Sequence, residues 1–229
     1  INGLCNKVNI LKIDPKYGSS IKDLKSFKAE IIFICVPTPM SSEGDQDLSA
    51  LDKIIDYLNK LDLSHLVVIK STVLPNYIER YKERINNLVY NPEFLTERNA
   101  DNDFINSNLI LFGGDKNASL ELGKFYDEYT KCITKEYVST DLVTSSLIKY
   151  SINSFLATKV IFFNELYNLY KKSNSQDTWS NITKILSRDS RIGNSHLDVP
   201  GPDGRFGFGG ACFPKDTQAL VMYAKNIGI

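Results

Sequence analysis

The sequence is poor in residues that bind metal ions. It has two histidines and four cysteines, and no two cysteines form a C-x-x-C pair. A zinc site needs a close set of such ligands, so no metal site is predicted. Isolated cysteines are typical of a reducing compartment, which favours a cytoplasmic location. The residues concerned are His65, His196, Cys5, Cys35, Cys132 and Cys212.

Net charge and long apolar runs are also missing. The 27 basic side chains balance 27 acidic ones, which gives no indication of a nucleic-acid or membrane surface. No apolar run approaches membrane-spanning length, and no signal peptide is visible. Neither nucleic acid nor a membrane is therefore expected as a partner. The chain opens with Ile1 and soon enters an apolar run, so we expect that its natural beginning is missing.

Residues 1–140 alternate between strand-like and helix-like segments. The clearest strand signal is the run from Ile31 to Val36, which is continuously apolar and rich in β-branched residues, as in strands buried on both faces. The alternation predicts a Rossmann-like α/β sheet with right-handed connections. The predicted strands are 8–13, 31–36, 66–69, 88–90, 109–112 and 137–138, and the predicted helices are 49–61, one beginning near residue 75, and 118–129.

A second, helical domain is predicted over residues 141–229. Residues 141–175 contain neither Gly nor Pro and have broad apolar faces, which predicts one helix of roughly 30 residues, about 45 Å long. Such a helix exceeds the needs of a small α/β domain, and we expect it to form the interface of a homodimer. A helix over 179–186 and a final helix over 217–225, capped by Asp216, complete the domain.

Residues 193–210 are dense in Gly and Pro but do not form a dinucleotide fingerprint. That fingerprint follows a strand and opens a helix, whereas GRFGFGG (residues 204–210) follows Pro200 and Pro202 late in the chain. Two interpretations stay open: a loop whose backbone lies close to a ligand, or a flexible connector.

Cys212 follows this loop, just before a predicted helix and close to Lys215. A helix N-terminus and a nearby cation both favour the thiolate, which is the nucleophilic form of cysteine. A structural cysteine beside a helix start is the alternative, and the residues alone leave both open.

Other polar groups are candidates for chemistry. Glu93 and Glu97 lie four residues apart in NPEFLTE, so a helical turn there would place both on one face, as a general base or as a solvated helix start. Lys149 and Asn153 have the same spacing on the long helix, where they would stabilise an oxyanion or form a solvent-facing stripe. Thr72 follows a strand, and α/β sheets bind ligands at the carboxyl ends of their strands.

The order of the motifs resembles the UDP-glucose and GDP-mannose dehydrogenase family. Along nearly the whole chain they are ICVPTP, IKSTVLP, NPEFLTERNA, LIKYSINSFLATKVIFFNEL, RIG and GFGGACFPKD. The resemblance implies NAD-dependent oxidation of C6 of a nucleotide sugar, first to an aldehyde and then to an acid. IGNSHLDVPGPDGRFGFGG is most similar to the UDP-glucose branch, with GDP-mannose and UDP-N-acetylhexosamines as alternative substrates.

The resemblance also implies catalytic roles. The aldehyde would be held on Cys212 as a thiohemiacetal, oxidised to a thioester and hydrolysed. Asp216 would act with an ordered water in proton transfer, and Glu93 would help water to attack the thioester. Lys149 and Asn153 would stabilise the oxyanion. The implied catalytic set is Cys212, Asp216, Glu93, Lys149, Asn153 and Thr72.

Cofactor and substrate contacts follow from the same resemblance. Asp14, placed at the end of a strand, would bind the adenosine ribose and favour NAD over NADP. Arg191 would meet a phosphate or the partner subunit. The implied cofactor-binding residues are Asp14, Val36, Pro37, Thr38, Thr72, Glu97 and Lys215. The implied substrate-binding residues are Glu93, Phe94, Leu95, Lys149, Asn153, Arg191, Phe206, Phe208 and Gly209.

Two parts of the family's pattern are not found. A first strand with its G-x-G-x-x-G turn would precede Ile1, and a C-terminal nucleotide-binding domain would follow Ile229. We therefore expect weak NAD binding and poor activity from these 229 residues alone, because the diphosphate lacks its main backbone donors. Two other classes stay open: a non-catalytic dimerisation module, and a hydroxyacid dehydrogenase, which needs no nucleophilic cysteine.

Overall fold

The computed structural model describes residues 2–5, 7–41, 45–61, 65–96 and 98–229. The chain divides into two compact units, Ile1–Lys149 and Tyr150–Ile229, and each is described by itself. The domain boundary predicted between residues 140 and 141 stays a prediction.

The first unit contains a five-stranded sheet with helices between the strands. The strands follow the chain in the order β1-β2-β3-β4-β5, and all neighbouring pairs are parallel except β3 and β4, which are antiparallel. The strands are β1 (Ile31–Ile34), β2 (Leu66–Ile69), β3 (Leu88–Tyr90), β4 (Ile110–Gly114) and β5 (Tyr137–Thr140). The helices are α1 (Ser49–Lys60), α2 (Pro75–Lys82), α3 (Ala100–Ile105), α4 (Lys116–Tyr129) and the first turns of α5 (Leu142–Lys172). This architecture confirms the predicted Rossmann-like class, while α3 and the antiparallel pair were not predicted.

The sheet is covered on both faces because its inner strands are apolar at every position. In β2, Val67 and Ile69 join one apolar cluster, whereas Leu66 and Val68 join another. Side chains alternate across a strand, so a run such as LVVI needs a packing layer on each face. Apolar residues of α1 and α2 form one layer, and residues of α4 form the other.

The strand register aligns the carboxyl ends of the first three strands. Ile34 pairs with Ile69, and Ile69 pairs with Tyr90, so β1, β2 and β3 end at one edge of the sheet. The segments that leave this edge are residues 35–38, 70–74 and 91–96. They include most of the site residues predicted for this unit.

The predicted strand over residues 8–13 is wrong. These residues have no regular secondary structure, and in the described part of the chain no strand pairs with them. An apolar run without a neighbouring strand leaves its backbone groups to water, so β-propensity alone does not make it a strand. Asp14 therefore does not end a strand. Its Oδ1 accepts a hydrogen bond from the Lys16 N–H at 2.9 Å and caps a short 3-10 helix, Pro15–Tyr17.

Two glycines permit the close packing at the end of β4. A Cβ on Gly114, whose φ is +143°, would lie 2.5 Å from the Leu88 carbonyl oxygen on β3. A Cβ on Gly113 would overlap the Ser145 hydroxyl on α5. Glycine is therefore required where β4 meets both β3 and the beginning of α5.

The second unit consists of the remainder of α5, α6 (Trp179–Leu186), a long loop and α7 (Phe213–Asn226). Phe163, Leu197 and Val199 form its small core, against which Trp179 and other partly buried residues pack. The 31-residue length of α5 confirms the predicted long helix. Among the described residues, no helix is both long and apolar enough to cross a membrane.

The predicted beginning of the last helix is wrong. α7 begins at Phe213 rather than at residue 217, with Pro in its first turn, where the fixed φ of proline suits a helix. Cys212 therefore occupies the position before the helix, and Asp216 lies inside its first turn instead of capping it.

Candidate active site

A polar cluster lies at the carboxyl edge of the first unit's sheet. Lys70 follows β2, and its Nζ lies 2.9 Å from Asn91 Oδ1 and 3.0 Å from Glu93 Oε1. The Tyr126 hydroxyl of α4 donates to Asn91 Oδ1 at 2.5 Å and lies 3.4 Å from Lys70 Nζ. We call these four residues, together with Lys149, the edge cluster. Strand register brings Lys70 and Asn91 together, because they directly follow the paired residues Ile69 and Tyr90, whereas Tyr126 and Lys149 come from α4 and α5.

The Lys70 ammonium is charged despite its burial. Burial acts to lower the pKa of Lys70, but the nearby Tyr126 and Glu93 oxygens outweigh it and raise this pKa above the ordinary value of lysine. The edge cluster thus contains a fixed positive charge directly beside the Glu93 carboxylate.

Lys149 reaches the same cluster from α5. Its Nζ donates to the Glu93 carbonyl oxygen at 2.6 Å and lies 5.2 Å from the centre of the Phe94 ring. Lys149 is 7% exposed and Asn153, one turn later, is 6% exposed, so a solvent-facing stripe is wrong for this pair. Residues 91–96 are not helical, so the helical turn predicted at Glu93 is also wrong. Glu97 lies outside the described residues.

Side-chain hydrogen bonds join the loops after β1 and β2. Ser71 Oγ donates to the Val36 carbonyl at 2.6 Å, and Thr38 Oγ1 donates to the Thr72 carbonyl at 2.8 Å. Gln46 donates to the same Thr72 carbonyl at 2.7 Å and accepts from the Leu74 N–H at 3.1 Å. The predicted residues Val36, Thr38 and Thr72 therefore form one cross-linked part of the edge, where doubly wound sheets bind dinucleotides.

The second unit contains a separate cluster around Cys212, which we call the cysteine cluster. Cys212 is exposed and directly precedes α7. Asp216 is 1% exposed; Asn153 donates to its Oδ2 at 2.5 Å, and Lys215 lies 2.5 Å from its Oδ1. The Asp216 N–H also donates to the Cys212 carbonyl at 2.8 Å. An exposed thiol thus lies one helical turn from a buried, hydrogen-bonded carboxylate.

The Gly-rich loop that precedes Cys212 is hydrogen-bonded to α5. Asn164 of α5 accepts from the Gly207 N–H at 2.9 Å, and Gly207 has a φ of +80°. The Phe206 ring lies 6.0 Å from the Tyr167 ring yet is 61% exposed. Phe208 is half-buried and Gly209 exposed, so the loop offers both aromatic side chains and open backbone.

Comparison with known proteins identifies the family. Residues 14–130 match the NAD binding domain of the UDP-glucose/GDP-mannose dehydrogenase family, and residues 143–229 match its central domain. The chain belongs to the UDP-glucose/GDP-mannose dehydrogenase family. The first match also confirms the predicted NAD-binding character of the Rossmann-like region.

Individual relatives agree with this assignment. The UDP-glucose 6-dehydrogenase of Rickettsia bellii is 42% identical over 94% of this chain and 49% of its own length. A solved UDP-glucose dehydrogenase from Pyrobaculum islandicum is 31% identical, with a TM-score of 0.71 over 87% of this chain and 47% of its own. A GDP-mannose dehydrogenase from Pseudomonas aeruginosa, solved as a ternary complex, is 27% identical, with a TM-score of 0.63 over 93% of this chain and 51% of its own. The chain spans about half the length of the relatives that it matches.

The residues expected to contact substrate or cofactor differ in their exposure and in the partners that they already have. The Arg191 guanidinium pairs with Asp189 in its own turn at 2.6 Å and is 87% exposed, so a phosphate would have to compete with that carboxylate. Leu95 is half-buried beside Phe94, and Pro37 is exposed at the edge of the sheet. The roles assigned to individual residues stay predictions. Among the described residues, no group of three or more His, Cys, Asp or Glu side chains could hold a metal ion.

Sequence reasoning missed the polar residues that join the predicted ones. Lys70, Asn91 and Tyr126 were not among the predicted site residues. Lys70 lies two residues before the predicted Thr72, and Asn91 lies two residues before the predicted Glu93. A charged or amide side chain directly after a buried strand was the available signal. Tyr126 offered no such signal, since it lies inside an amphipathic helix among apolar residues.

Proposed function

We propose that this protein oxidises a nucleotide sugar by four electrons with NAD, converting UDP-glucose to UDP-glucuronate. The cysteine cluster gives the strongest support: an exposed Cys212 lies one turn from a buried Asp216 that Asn153 hydrogen-bonds. An oxidation that stops at a carbonyl needs no nucleophile here, whereas two oxidations at one carbon require that the aldehyde be retained between them.

The proposed sequence balances at C6 of the sugar. The alcohol loses a hydride to NAD⁺ and a proton to a base, leaving an aldehyde. Cys212 Sγ forms a bond to C6, and the aldehyde oxygen takes up a proton to give a thiohemiacetal. Loss of a second hydride to NAD⁺ and of the hydroxyl proton leaves a thioester. Water then attacks C6, the C6–S bond breaks, and the carboxylate leaves with the thiol restored.

Each residue has a proposed part in this sequence. Cys212, which directly precedes α7, is the nucleophile that bonds C6. Asp216 serves proton transfer through an ordered water. Lys149 and Asn153 stabilise the oxyanion formed at C6, as buried donors do more effectively than solvated ones. Glu93 is the general base for hydrolysis.

NAD fits the cross-linked edge of the first unit's sheet. Val36, Pro37, Thr38 and Thr72 lie in the two loops that Ser71 and Gln46 hold together, at the edge where such sheets bind dinucleotides. Asp14, Glu97 and Lys215 complete the proposed contacts. The Asp14 carboxylate already accepts a hydrogen bond from its own turn, so a ribose hydroxyl would bind its remaining acceptor positions.

UDP-glucose is the proposed substrate because the relatives from Rickettsia bellii and Pyrobaculum islandicum carry that activity in their names. The Pseudomonas aeruginosa GDP-mannose dehydrogenase supports GDP-mannose as the second candidate at lower identity. Phe206, Phe208 and Gly209 are proposed to enclose the hexose, with Arg191 near a phosphate. Phe94 and Leu95 are proposed to contact the substrate beside Glu93.

A homodimer through α5 is the proposed assembly. Phe155, Phe162 and Leu169 are each at least 60% exposed, and their spacing of seven places them on one face of the helix. Large exposed apolar side chains in a row are costly in water and typical of interfaces. Phe162→Glu should give monomers in light scattering; an unchanged mass would refute this interface.

The activity test uses the protein expressed from its complete reading frame. We expect about two NADH per UDP-glucose consumed, in keeping with a four-electron oxidation, and a UDP-glucuronyl adduct on Cys212 in the mass spectrum of acid-quenched protein. Cys212→Ser should abolish the adduct and the acid product. Cys5→Ser, a half-buried cysteine of the first unit, is the matched control and should leave both unchanged.

The outcomes separate the competing functions. Acid formation that survives Cys212→Ser would rule out the thioester. One NADH per substrate would indicate a simple dehydrogenase whose oxidation stops at the carbonyl. Absence of NADH with UDP-glucose, GDP-mannose and UDP-N-acetylglucosamine alike would favour a non-catalytic module.

A further inference from the structure

Lys70 is a buried cation for which the reaction above has no role. It directly follows β2, and its side chain is only 11% exposed. Its Nζ lies 2.9 Å from Asn91 Oδ1, 3.0 Å from Glu93 Oε1 and 3.4 Å from the Tyr126 hydroxyl. A lysine ammonium is rarely buried without such partners, so this placement is specific.

The groups around Lys70 are themselves fixed. Asn91 is 2% exposed, and its Nδ2 donates to the Leu111 carbonyl at 3.0 Å, which turns Oδ1 towards Lys70. The Tyr126 hydroxyl donates to that same Oδ1 at 2.5 Å, and its ring packs against Phe112 at 5.4 Å. Lys70 therefore has little freedom to move away from the carboxylate.

Glu93 is restrained at two points by two lysines. Lys70 holds side-chain Oε1 at 3.0 Å, and Lys149 holds the backbone carbonyl at 2.6 Å. The Glu93 side chain is nevertheless 40% exposed, so water can reach the carboxylate while one of its oxygens is held. This combination suits a general base, which needs a fixed direction and access to water.

We propose that Lys70 is a positioning residue that orients Glu93 for hydrolysis of the thioester. The proposal rests on the function proposed above. It assigns Lys70 to the last step alone: water loses a proton to Glu93 as its oxygen bonds to C6, and the C6–S bond then breaks. Both oxidations precede that step and do not use Glu93 as a base.

Lys70→Met tests this assignment, since Met preserves the length of the side chain and removes its charge. In a stopped-flow experiment with UDP-glucose and excess NAD, we expect a rapid burst of about two NADH per subunit followed by slow turnover. The steady rate should fall about 10- to 100-fold, as is typical when a catalytic group is misoriented, while the burst rate changes less than about threefold. The Cys212 adduct should accumulate in quenched samples.

Two further variants separate positioning from a general structural effect. Lys124→Met makes the same chemical change at an exposed position of α4, outside the edge cluster, so its steady rate should stay within about threefold of the unmodified protein. Lys70→Arg retains a positive charge and should hydrolyse the adduct faster than Lys70→Met. Should Lys70→Met fail to fold, Lys70→Gln, which keeps a donor to Asn91, replaces it. The same slow steady rate after a nearly unchanged burst is then expected.

The results distinguish this proposal from the function on which it rests. If Lys70→Met slows the burst and the steady rate equally, or leaves both unchanged, Lys70 does not position Glu93, while the thioester route stands. If the unmodified protein forms neither the second NADH nor the adduct, the thioester route fails, and the role of Lys70 fails with it.

Discussion

Asp216→Asn should destabilise the second unit measurably, because this carboxylate is almost fully buried. Asp216 is 1% exposed, and its two oxygens are both in use: Asn153 Nδ2 lies 2.5 Å from Oδ2, and Lys215 Nζ lies 2.5 Å from Oδ1. Asparagine has the same shape but only one acceptor oxygen. One of the two donors would then face an NH₂ group.

The expected loss is about 2 kcal/mol of unfolding free energy. A hydrogen bond to a charged group contributes about 1.5–3 kcal/mol, and the substitution removes one such bond and the charge of the other. The Lys215 side chain is 21% exposed, so its ammonium can turn towards water, which limits the loss to the lower part of that range.

Trp179 fluorescence provides the assay. Trp179 is the only tryptophan, and it packs against Tyr167 at 5.2 Å within the second unit, so its emission reports unfolding there. With a urea m-value of about 1 kcal/mol/M, the midpoint should move down by about 2 M. Asp198→Asn makes the same chemical change at an exposed position and should move the midpoint by less than about 0.5 M. A shift for Asp216→Asn no larger than that of Asp198→Asn would refute this account of the buried carboxylate.

Three further predictions concern the first unit and the start of α5. Gly113→Ala should cost at least about 2 kcal/mol in urea unfolding, because the new methyl group would overlap the Ser145 hydroxyl. Leu122→Ala should cost about 3 kcal/mol, since Leu122 is 0% exposed, whereas Leu120→Ala on the same helix, 57% exposed, should change stability by less than about 0.5 kcal/mol. Asp141→Ala should cost about 1 kcal/mol at pH 7, because Asp141 caps α5. Hydrogen bonds from the side chain and backbone of Thr144 lower the pKa of Asp141. The contribution of this cap to stability should therefore be complete above pH ~4 and lost as the pH falls through the lowered pKa.

Each of these predictions has a result that contradicts it. Gly209→Ala, where no atom lies within 4 Å of the new methyl group, is the control for Gly113→Ala, and equal effects would show that close packing is not the cause. Equal losses at Leu120 and Leu122 would contradict the assignment of the buried face of α4. If wild-type and Asp141→Ala proteins lose stability in parallel below pH 4, the cap is not the titrating group.

The fold was largely predictable where local pattern and tertiary packing agree. The apolar run of β2 and the Pro that begins α2 carry their own signals, and the structure has both elements where they were expected. The strand over residues 8–13 failed because a strand also needs a neighbour, which no short window of sequence displays. The beginning of α7 failed because Asp216 is a strong capping residue, yet burial placed it inside the helix.

The sequence indicated which residues could belong to the site, but it did not indicate which of them contact one another. Four-residue spacing placed Lys149 and Asn153 on one side of α5, but only the structure shows that both are buried. Lys70 went unselected because its partners Asn91 and Tyr126 lie 21 and 56 residues away. No periodicity connects these residues. The parallel register of β2 and β3 brings Asn91 to Lys70, and the packing of α4 against the sheet brings Tyr126.

The sequence by itself determined the α/β class, the long helix and the family, because periodic burial and an ordered set of motifs are properties of short segments. The tertiary structure alone decided that Lys70 pairs with Glu93 and that Asp216 is buried and hydrogen-bonded to Asn153. It also decided that Cys212 directly precedes α7. Those facts depend on strand register and on side-chain packing across distant segments, and both are settled only when the whole chain folds.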